Sequence, residues 1–403
     1  MNTEIELSIM ANRADNLAPL LKQFEAEEHI AVRPRLLTWD TAWSELVKVA
    51  LYGDGPDISE LGSTWLGDLV SMNALRPFGT EEISALGGPA AYLPSAWQGG
   101  QLAGQPEQWA IPWFVGARLV YYRRNLLEAA QVDPRTAFDS AEQVERTLAS
   151  LQASGVPVPW TVPTNVTHTT LLNACSWVWS AGGDFVTPDG RAPLFDEPTV
   201  NAGLRAYFSL GRYLTPDVRR LGGLEPDNQF MRHPGTAATI SGPWLFCTAR
   251  NEGHSEMLEH TGLALPCGKP FVGGSHLVIW RHTRQPAAAL RLVEFLARPA
   301  AQVAYSQSIG LLPARLDALH MEPFASDPLW QQSADGLTAG RTFPVIRLWG
   351  LSEDRMTPAM GALWADLRRN PDLDLDESLR RHMDPVWLRL RLSWDQLNSP
   401  RSH

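Results

Sequence analysis

Ile5-Glu6-Leu7-Ser8-Ile9 alternates apolar and polar residues at the period of a half-buried strand. Asn12 to Asp15 then form a turn. Leu17, Leu20, Leu21 and Phe24 recur at helical spacing, with Asp15 as a candidate cap and Pro19 in the first turn. A second strand is expected near Val32 to Leu37, and a helix from about Thr41 to Leu51. Gly53-Asp54-Gly55-Pro56 breaks that helix, and Asp57-Ile58-Ser59-Glu60-Leu61 reads as a third short strand. Strand, helix, strand, helix, strand is the order of an α/β fold with a parallel sheet.

Outward from this start, Trp109 to Trp113 and Ala117 to Tyr122 read as two strands, followed by a short helix from Arg123 to Ala130. Ser140 and Gln143 have capping-box spacing ahead of a helix through Leu151. A Pro-rich strand is expected from Val156 to Val162, then a helix near Thr170 to Ser180 stopped by Gly182-Gly183. Asp196-Glu197-Pro198 opens a helix that runs to Tyr213. Thr236 to Ile240 reads as a strand ending at Ser241-Gly242-Pro243-Trp244, and Leu263, Leu265 and Leu277 to Trp280 give further strands around a Gly-rich loop, Gly268 to Ser275. Pro286 opens a helix with Ala289, Leu292, Val293 and Leu296 on one face, closed by Pro299. The remaining chain is helical in pattern, with breaks at Pro313, Pro323, Pro328, Pro344 and Pro358. No internal repeat and no low-complexity tract is present.

The 403 residues suit two or three domains at ~150 residues each. With 44% hydrophobic and 19% charged residues the chain has the makeup of a folded protein. A net charge of −10 without a basic stripe argues against a nucleic-acid partner. Cys175, Cys247 and Cys267 are too few for a disulfide framework; buried thiols are expected, with one disulfide left open. No run reaches the ~18 apolar residues of a membrane span. Met1-Asn2-Thr3-Glu4 enters a strand without a basic region and apolar run. Two readings stay open: a cytoplasmic chain, or a mature form whose leader is missing.

No GxSxG, HExxH, Walker A or spaced GxGxxG occurs, and no cofactor is expected. His254, Glu256, Glu259 and His260 come nearest to a metal set, but a polar helix surface explains them, and no metal is expected. The 16 tryptophans stand out. Flat aromatic faces stack on the C–H faces of sugar rings, and indole N–H groups reach hydroxyls.

Gly55-Pro56-Asp57-Ile58 is followed by Trp65 and by Asn73-Ala74-Leu75-Arg76-Pro77. Ala110-Ile111-Pro112-Trp113 leads to Leu119-Val120-Tyr121-Tyr122-Arg123 and Asn125-Leu126-Leu127. Gly235-Thr236-Ala237-Ala238-Thr239-Ile240-Ser241-Gly242-Pro243-Trp244 comes next, then Pro266 with Gly273-Gly274-Ser275, the Pro286 to Leu296 helix, and Gly310-Leu311-Leu312-Pro313-Ala314-Arg315. In this order the set resembles the family 1 extracellular solute-binding proteins of ABC importers, the maltose-binding-protein-like group. The resemblance spans about residues 5 to 370. Gly116-Ala117 departs from it, standing where many relatives carry Asp-Thr.

The resemblance implies a two-lobed α/β fold of the periplasmic-binding-protein type II class. The N-terminal lobe is expected at 1–112 plus 266–312 and the C-terminal lobe at 113–265 plus 313–403. It further implies a mono- or oligosaccharide ligand held between hinged lobes at the carboxyl ends of strands. Partners would be that sugar and the permease subunits of an importer, with the protein a monomer, in the periplasm or as a cell-surface lipoprotein.

On this reading Trp244, projecting from a tight turn at a strand end, is the first candidate for sugar stacking. Trp65 and Glu60 follow the third strand, Glu60 as a hydroxyl acceptor. Asn12 and Arg13 lie in the first strand-to-helix turn, and Trp39 at the second strand's end. Trp113, Phe114 and Arg118 lie at the first crossover. Gly274, Ser275 and His276 sit on the Gly-rich loop, and Arg347 and Trp349 follow Pro344. For each aromatic the competing explanation is core packing; for His276 it is a satisfied buried histidine. Two other functions remain open: a carbohydrate-active enzyme such as a glycosidase, using two of Glu60, Asp57, Glu107, Asp184 and Asp196, or a cytoplasmic sugar-sensing module.

Overall fold

The computed structural model describes residues 3–10 and 16–398. Its strands are β1 (Thr3–Met10), β2 (Ile30–Leu37), β3 (Ile58–Gly62), β4 (Leu75–Arg76), β5 (Ile111–Ala117), β6 (Leu119–Arg123), β7 (Ala238–Ser241), β8 (Thr261–Ala264), β9 (Val272–Trp280) and β10 (Leu312–Pro313). The chain divides into two compact units. Unit 1 holds 1–116, 273–334 and 342–350; unit 2 holds 117–272, 335–341 and 351–403. The chain therefore changes unit near the end of β5 and the start of β9, not at 112 and 265. Residues 313–334 and 342–350 also fall in unit 1.

Unit 1 is built on a sheet of order β10-β5-β9-β3-β1-β2, with β4 also against β9. β1 runs parallel to β2 over its whole length and parallel to β3. The carboxyl ends of these three strands therefore share one edge of the sheet. Ile5, Leu7 and Ile9 are buried as their alternation requires, and Ser8 between them is buried too, bonded hydroxyl to hydroxyl with Ser59 at 2.6 Å. Both faces of the sheet are covered, as in most parallel sheets. The helix Ala18–Glu28 buries Leu20, Leu21 and Phe24, and Phe24 meets Phe295 of the helix Pro286–Leu296 edge to face. Pro299, expected only to close that helix, also begins the next one, Pro299–Ile309, because a missing N–H costs nothing in a first turn.

Unit 2 carries the three-stranded antiparallel sheet β7-β6-β8. The strand expected from Val156 to Val162 is not a regular strand; it makes only isolated bridges, Val158 to Thr236 and Thr161 to Thr239. Pro157, Pro159 and Pro163 have no N–H to give a ladder. The helices Thr169–Ser180 and Pro198–Ser209 pack so closely that a Cβ on Gly203 would lie 2.4 Å from the Val178 Cα. Pro358, expected to break helical structure, lies inside the helix Trp349–Arg369. An interior proline costs ~3 kcal/mol. Burial of Met356, Met360, Leu363 and Trp364 outweighs it, at ~1.5–3 kcal/mol per large apolar side chain.

None of the three cysteines forms a disulfide. Among the described residues no helix is long and apolar enough to cross a membrane.

Candidate functional site

In unit 1, the shared edge of β2 and β3 gathers residues far apart in sequence. Trp39 opens the helix Trp39–Tyr52 directly after β2 and is 45% exposed, high for so large a ring. Trp65 sits after β3, at the start of the helix Leu66–Ser71, held by its N–H to the Gly62 carbonyl at 3.0 Å. The two rings lie 5.7 Å apart, tilted by 57°. Trp43, one turn further along its helix, supports Trp65 from 5.7 Å. A Cβ on Gly62 would touch both Trp39 and Trp65, at 3.4 and 3.7 Å. Glycine lets two indoles stand side by side over the strand end, making an aromatic corner suited to the C–H faces of a ring-shaped polar solute.

The neighbouring sequence candidates turn inward. Glu60 is buried: one carboxylate oxygen accepts the Met10 N–H at 2.7 Å, the other the Ser275 hydroxyl at 2.7 Å. The carboxyl braces β1, β3 and β9, and burial pushes it up to about 7. His276 is buried, its Nε2 2.8 Å from the Ala96 carbonyl, and burial pulls it down to about 4. It is a neutral core histidine at physiological pH. Gly274 is glycine because β5 passes over it: a Cβ would lie 2.2 Å from the Phe114 carbonyl oxygen. Trp113 is fully buried and stacked on Tyr305 at 4.4 Å, with Phe114 beside both. Trp349 is buried and stacked on Phe343 at 4.3 Å. Its segment is fixed by the Asp68 carboxylate, which accepts the Leu348 and Gly350 N–H groups. Arg347, next to it, is exposed. Asn12 and Arg13 lie outside the described residues.

Unit 2 contributes a second group. Trp244 begins the helix Trp244–Asn251 after β7 and is half-buried. Its indole N–H donates to the Asp227 carboxylate at 2.8 Å, and the same oxygen accepts the Ser241 hydroxyl at 3.0 Å. The Arg118 guanidinium lies 5.4 Å from the centre of the Trp244 ring, within cation–π range. Burial pushes Asp227 up to about 6, opposed by the Trp244 and Ser241 bonds and by the Arg118 charge. Burial also lowers Arg118, opposed by Asp227. Tyr207 completes the group: burial raises its phenol well above the ordinary value, opposed by the Asn173 amide and Arg118. A cation, a carboxylate and an aromatic face are thus held together at one strand end.

Asp227, Tyr207, Asn173 and Trp43 were not singled out in the sequence. A signal existed for Asp227: in the helix Glu225–Arg232 it shares the buried face with Phe230 and Met231 at spacings of three and four. A carboxylate on an apolar face needs a partner.

The ionisation of Asp227 has a readable consequence. Below about pH 6 the folded protein protonates this carboxyl, so Trp244 loses a charged acceptor and Arg118 its counter-charge. Intrinsic fluorescence is expected to show a transition centred near pH 6. It should vanish in Asp227→Asn and in Trp244→Phe; a transition surviving both substitutions would assign it elsewhere.

The carboxylates considered for hydrolysis, Glu107 apart, have structural partners. Asp57 accepts the Glu6 N–H and the Thr283 hydroxyl. Asp184 takes Arg341, the Trp179 indole and the Phe185 N–H. Asp196 pairs with Arg391, and Glu107 is exposed.

The profile of the family described as bacterial extracellular solute-binding protein matches residues 20–332. A putative binding protein of Brucella abortus is 21% identical over 368 residues, covering 89% of this chain and 86% of its own. The diacetylchitobiose binding protein DasA of Streptomyces coelicolor is 21% identical over 374 residues, covering 89% and 83%. Among solved structures, a solute-binding protein of Thermotoga lettingae bound with α-D-tagatose superposes with a TM-score of 0.80 at 20% identity, covering 95% of this chain and 98% of its own. The sugar-binding protein MalE of Xanthomonas citri gives 0.79 at 22% identity, covering 98% and 100%. These matches give this chain the two-lobed fold of periplasmic sugar-binding proteins.

Proposed function

Because this chain belongs to the bacterial extracellular solute-binding proteins, we propose that its solute is a neutral mono- or oligosaccharide, bound without chemical change and passed to the permease of an ABC importer. The observation that carries the reading is the Trp39–Trp65 corner on unit 1, where an indole 45% exposed is held beside a second at the carboxyl ends of parallel strands. Stacking on sugar C–H faces gives such rings a use. A relative named for diacetylchitobiose, a structural neighbour bound with α-D-tagatose and another described as sugar-binding support the same class. On unit 2 the Arg118–Asp227–Trp244 group offers hydrogen-bond partners suited to sugar hydroxyls. Sugar binding favours the liganded form by mass action, and that form is what the permease would receive. Action outside the cytoplasmic membrane follows from this reading.

The test is a titration with mono- and disaccharides that records tryptophan fluorescence, thermal midpoint and the chemical integrity of the sugar. A saturable change, a raised midpoint and intact sugar are expected. Trp39→Ala should weaken binding by about tenfold, one stacked face being worth ~1 kcal/mol or somewhat more. The unliganded midpoint should fall only modestly, since nearly half of the residue is already exposed. Cleaved sugar would replace the reading with an enzyme, and unchanged affinity in Trp39→Ala would remove the corner from the site.

A further inference from the structure

A second group of charged side chains in unit 2 shares no residue with the group around Trp244. Asn165, Arg220, Ala365, Arg368 and Arg369 line an open cavity of about 430 Å³. Three guanidinium groups converge here on a protein whose net charge is −10, so the cluster is not the overflow of a generally basic surface. Its lining contains no carboxylate.

The rim is built, not incidental. The Thr164 N–H donates to the Leu221 carbonyl at 2.9 Å, and its hydroxyl donates to the Arg219 carbonyl at 2.7 Å. Arg219 in turn donates to the Leu214 carbonyl at 2.8 Å. These bonds fix the loop bearing Arg220 against the segment bearing Asn165. Gly222 lets the two close up: a Cβ there would lie 2.5 Å from the Asn165 amide nitrogen. Arg368, on the helix Trp349–Arg369, donates to the Thr164 carbonyl and ties the third wall to the same point.

The charges are poorly compensated. Arg220 is exposed and makes no ion pair among the described residues, where Arg368 donates to the Thr164 carbonyl alone. Arg369 pairs with Asp366, but that carboxylate also serves the Ser378 hydroxyl and His382. Burial, and after it repulsion from Arg220 and Arg369, lowers Arg368 from its ordinary value. A dianion would relieve that repulsion, and planar guanidinium forks match the oxygens of a tetrahedral oxyanion two at a time.

We propose that Arg220, Arg368 and Arg369, with the Asn165 amide, form a binding site for a phosphate-type oxyanion, separate from the sugar site. The experiment is calorimetric titration of the full chain with inorganic phosphate and with sulfate, against sodium chloride at equal ionic strength, with thermal midpoint as a second readout. Saturable phosphate binding that weakens as salt rises is expected. Arg220→Gln should weaken it several-fold with an unchanged midpoint in the absence of phosphate, since that side chain holds nothing else in place. R220Q/R369Q should weaken it by at least about tenfold, two charge-assisted contacts being lost, while sugar affinity stays at the wild-type value. Phosphate indistinguishable from chloride in the wild type, or R220Q/R369Q binding phosphate as well as wild type, overturns the proposal. Sulfate binding equal to phosphate assigns the site to tetrahedral dianions in general, within the proposal.

Discussion

Gly274→Ala is expected to destabilise the protein by about 3 kcal/mol, the upper end of the cost of forcing a methyl group into a packed interior. The added carbon would lie 2.2 Å from the Phe114 carbonyl oxygen and 3.0 Å from the Val115 Cα. Both are backbone atoms of β5, the neighbour of β9 in the sheet, so no side-chain rotation relieves the overlap. The strands must separate, and hydrogen bonds of the ladder lengthen with them. A thermal midpoint measured without ligand should fall by many degrees. In the sequence this glycine fits equally well as a residue that admits a ligand to the backbone. An unchanged midpoint with lost sugar affinity would restore that role; a large fall in midpoint assigns it to strand packing.

Glu60 is expected to make a large contribution to the pH dependence of stability, equal in size to that of His276 and opposite in sign. Its carboxyl stands at about 7 in the folded protein against an ordinary 4.5. Between these values the folded state keeps a proton that the unfolded chain has released. The Glu60 contribution to stability therefore falls as pH rises from about 4.5 to about 7, and levels off above, by roughly 3 kcal/mol in all. His276, at about 4 against 6.5, contributes an opposing rise, so the Glu60 share is read as the difference between wild type and Glu60→Gln. Glu60→Gln should remove this slope. Its amide oxygen accepts the Met10 N–H, and its NH₂ donates to a Ser275 hydroxyl turned to accept, so both partners stay satisfied without a buried charge. Above pH 7 Glu60→Gln should be as stable as wild type or more so. Glu60→Leu leaves the Met10 N–H and the Ser275 hydroxyl unpaired and should cost roughly 2–4 kcal/mol. Urea midpoints of the three proteins at pH 5 and pH 8 decide the matter. A wild-type slope persisting in Glu60→Gln would assign the proton to another group, Asp227 first among them.

These two residues show how far the sequence reaches. Gly274 stands in a segment that the family resemblance marks and Glu60 at the third strand, and both face inward for reasons set by neighbours far along the chain: Phe114 for Gly274, Met10 and Ser275 for Glu60. The same holds for Trp113 of β5, whose stacking partner Tyr305 lies in the helix Pro299–Ile309. Trp39 and Trp65 keep their candidacy because the chain leaves each at the carboxyl end of a parallel strand, which the β-α-β-α-β order already implied.

The sequence by itself determined the α/β class, the parallel order of β1, β2 and β3, and most helix positions, because period, caps and turn residues act over a few neighbours. It also marked the segments that carry the family resemblance. Only the tertiary structure decided which tryptophans pack and which stand exposed, that Asp227 is the acceptor of Trp244, and that three arginines converge beside Asn165. Burial, carboxyl ionisation and close backbone approach depend on what the fold brings within a few ångströms, and no local pattern records that.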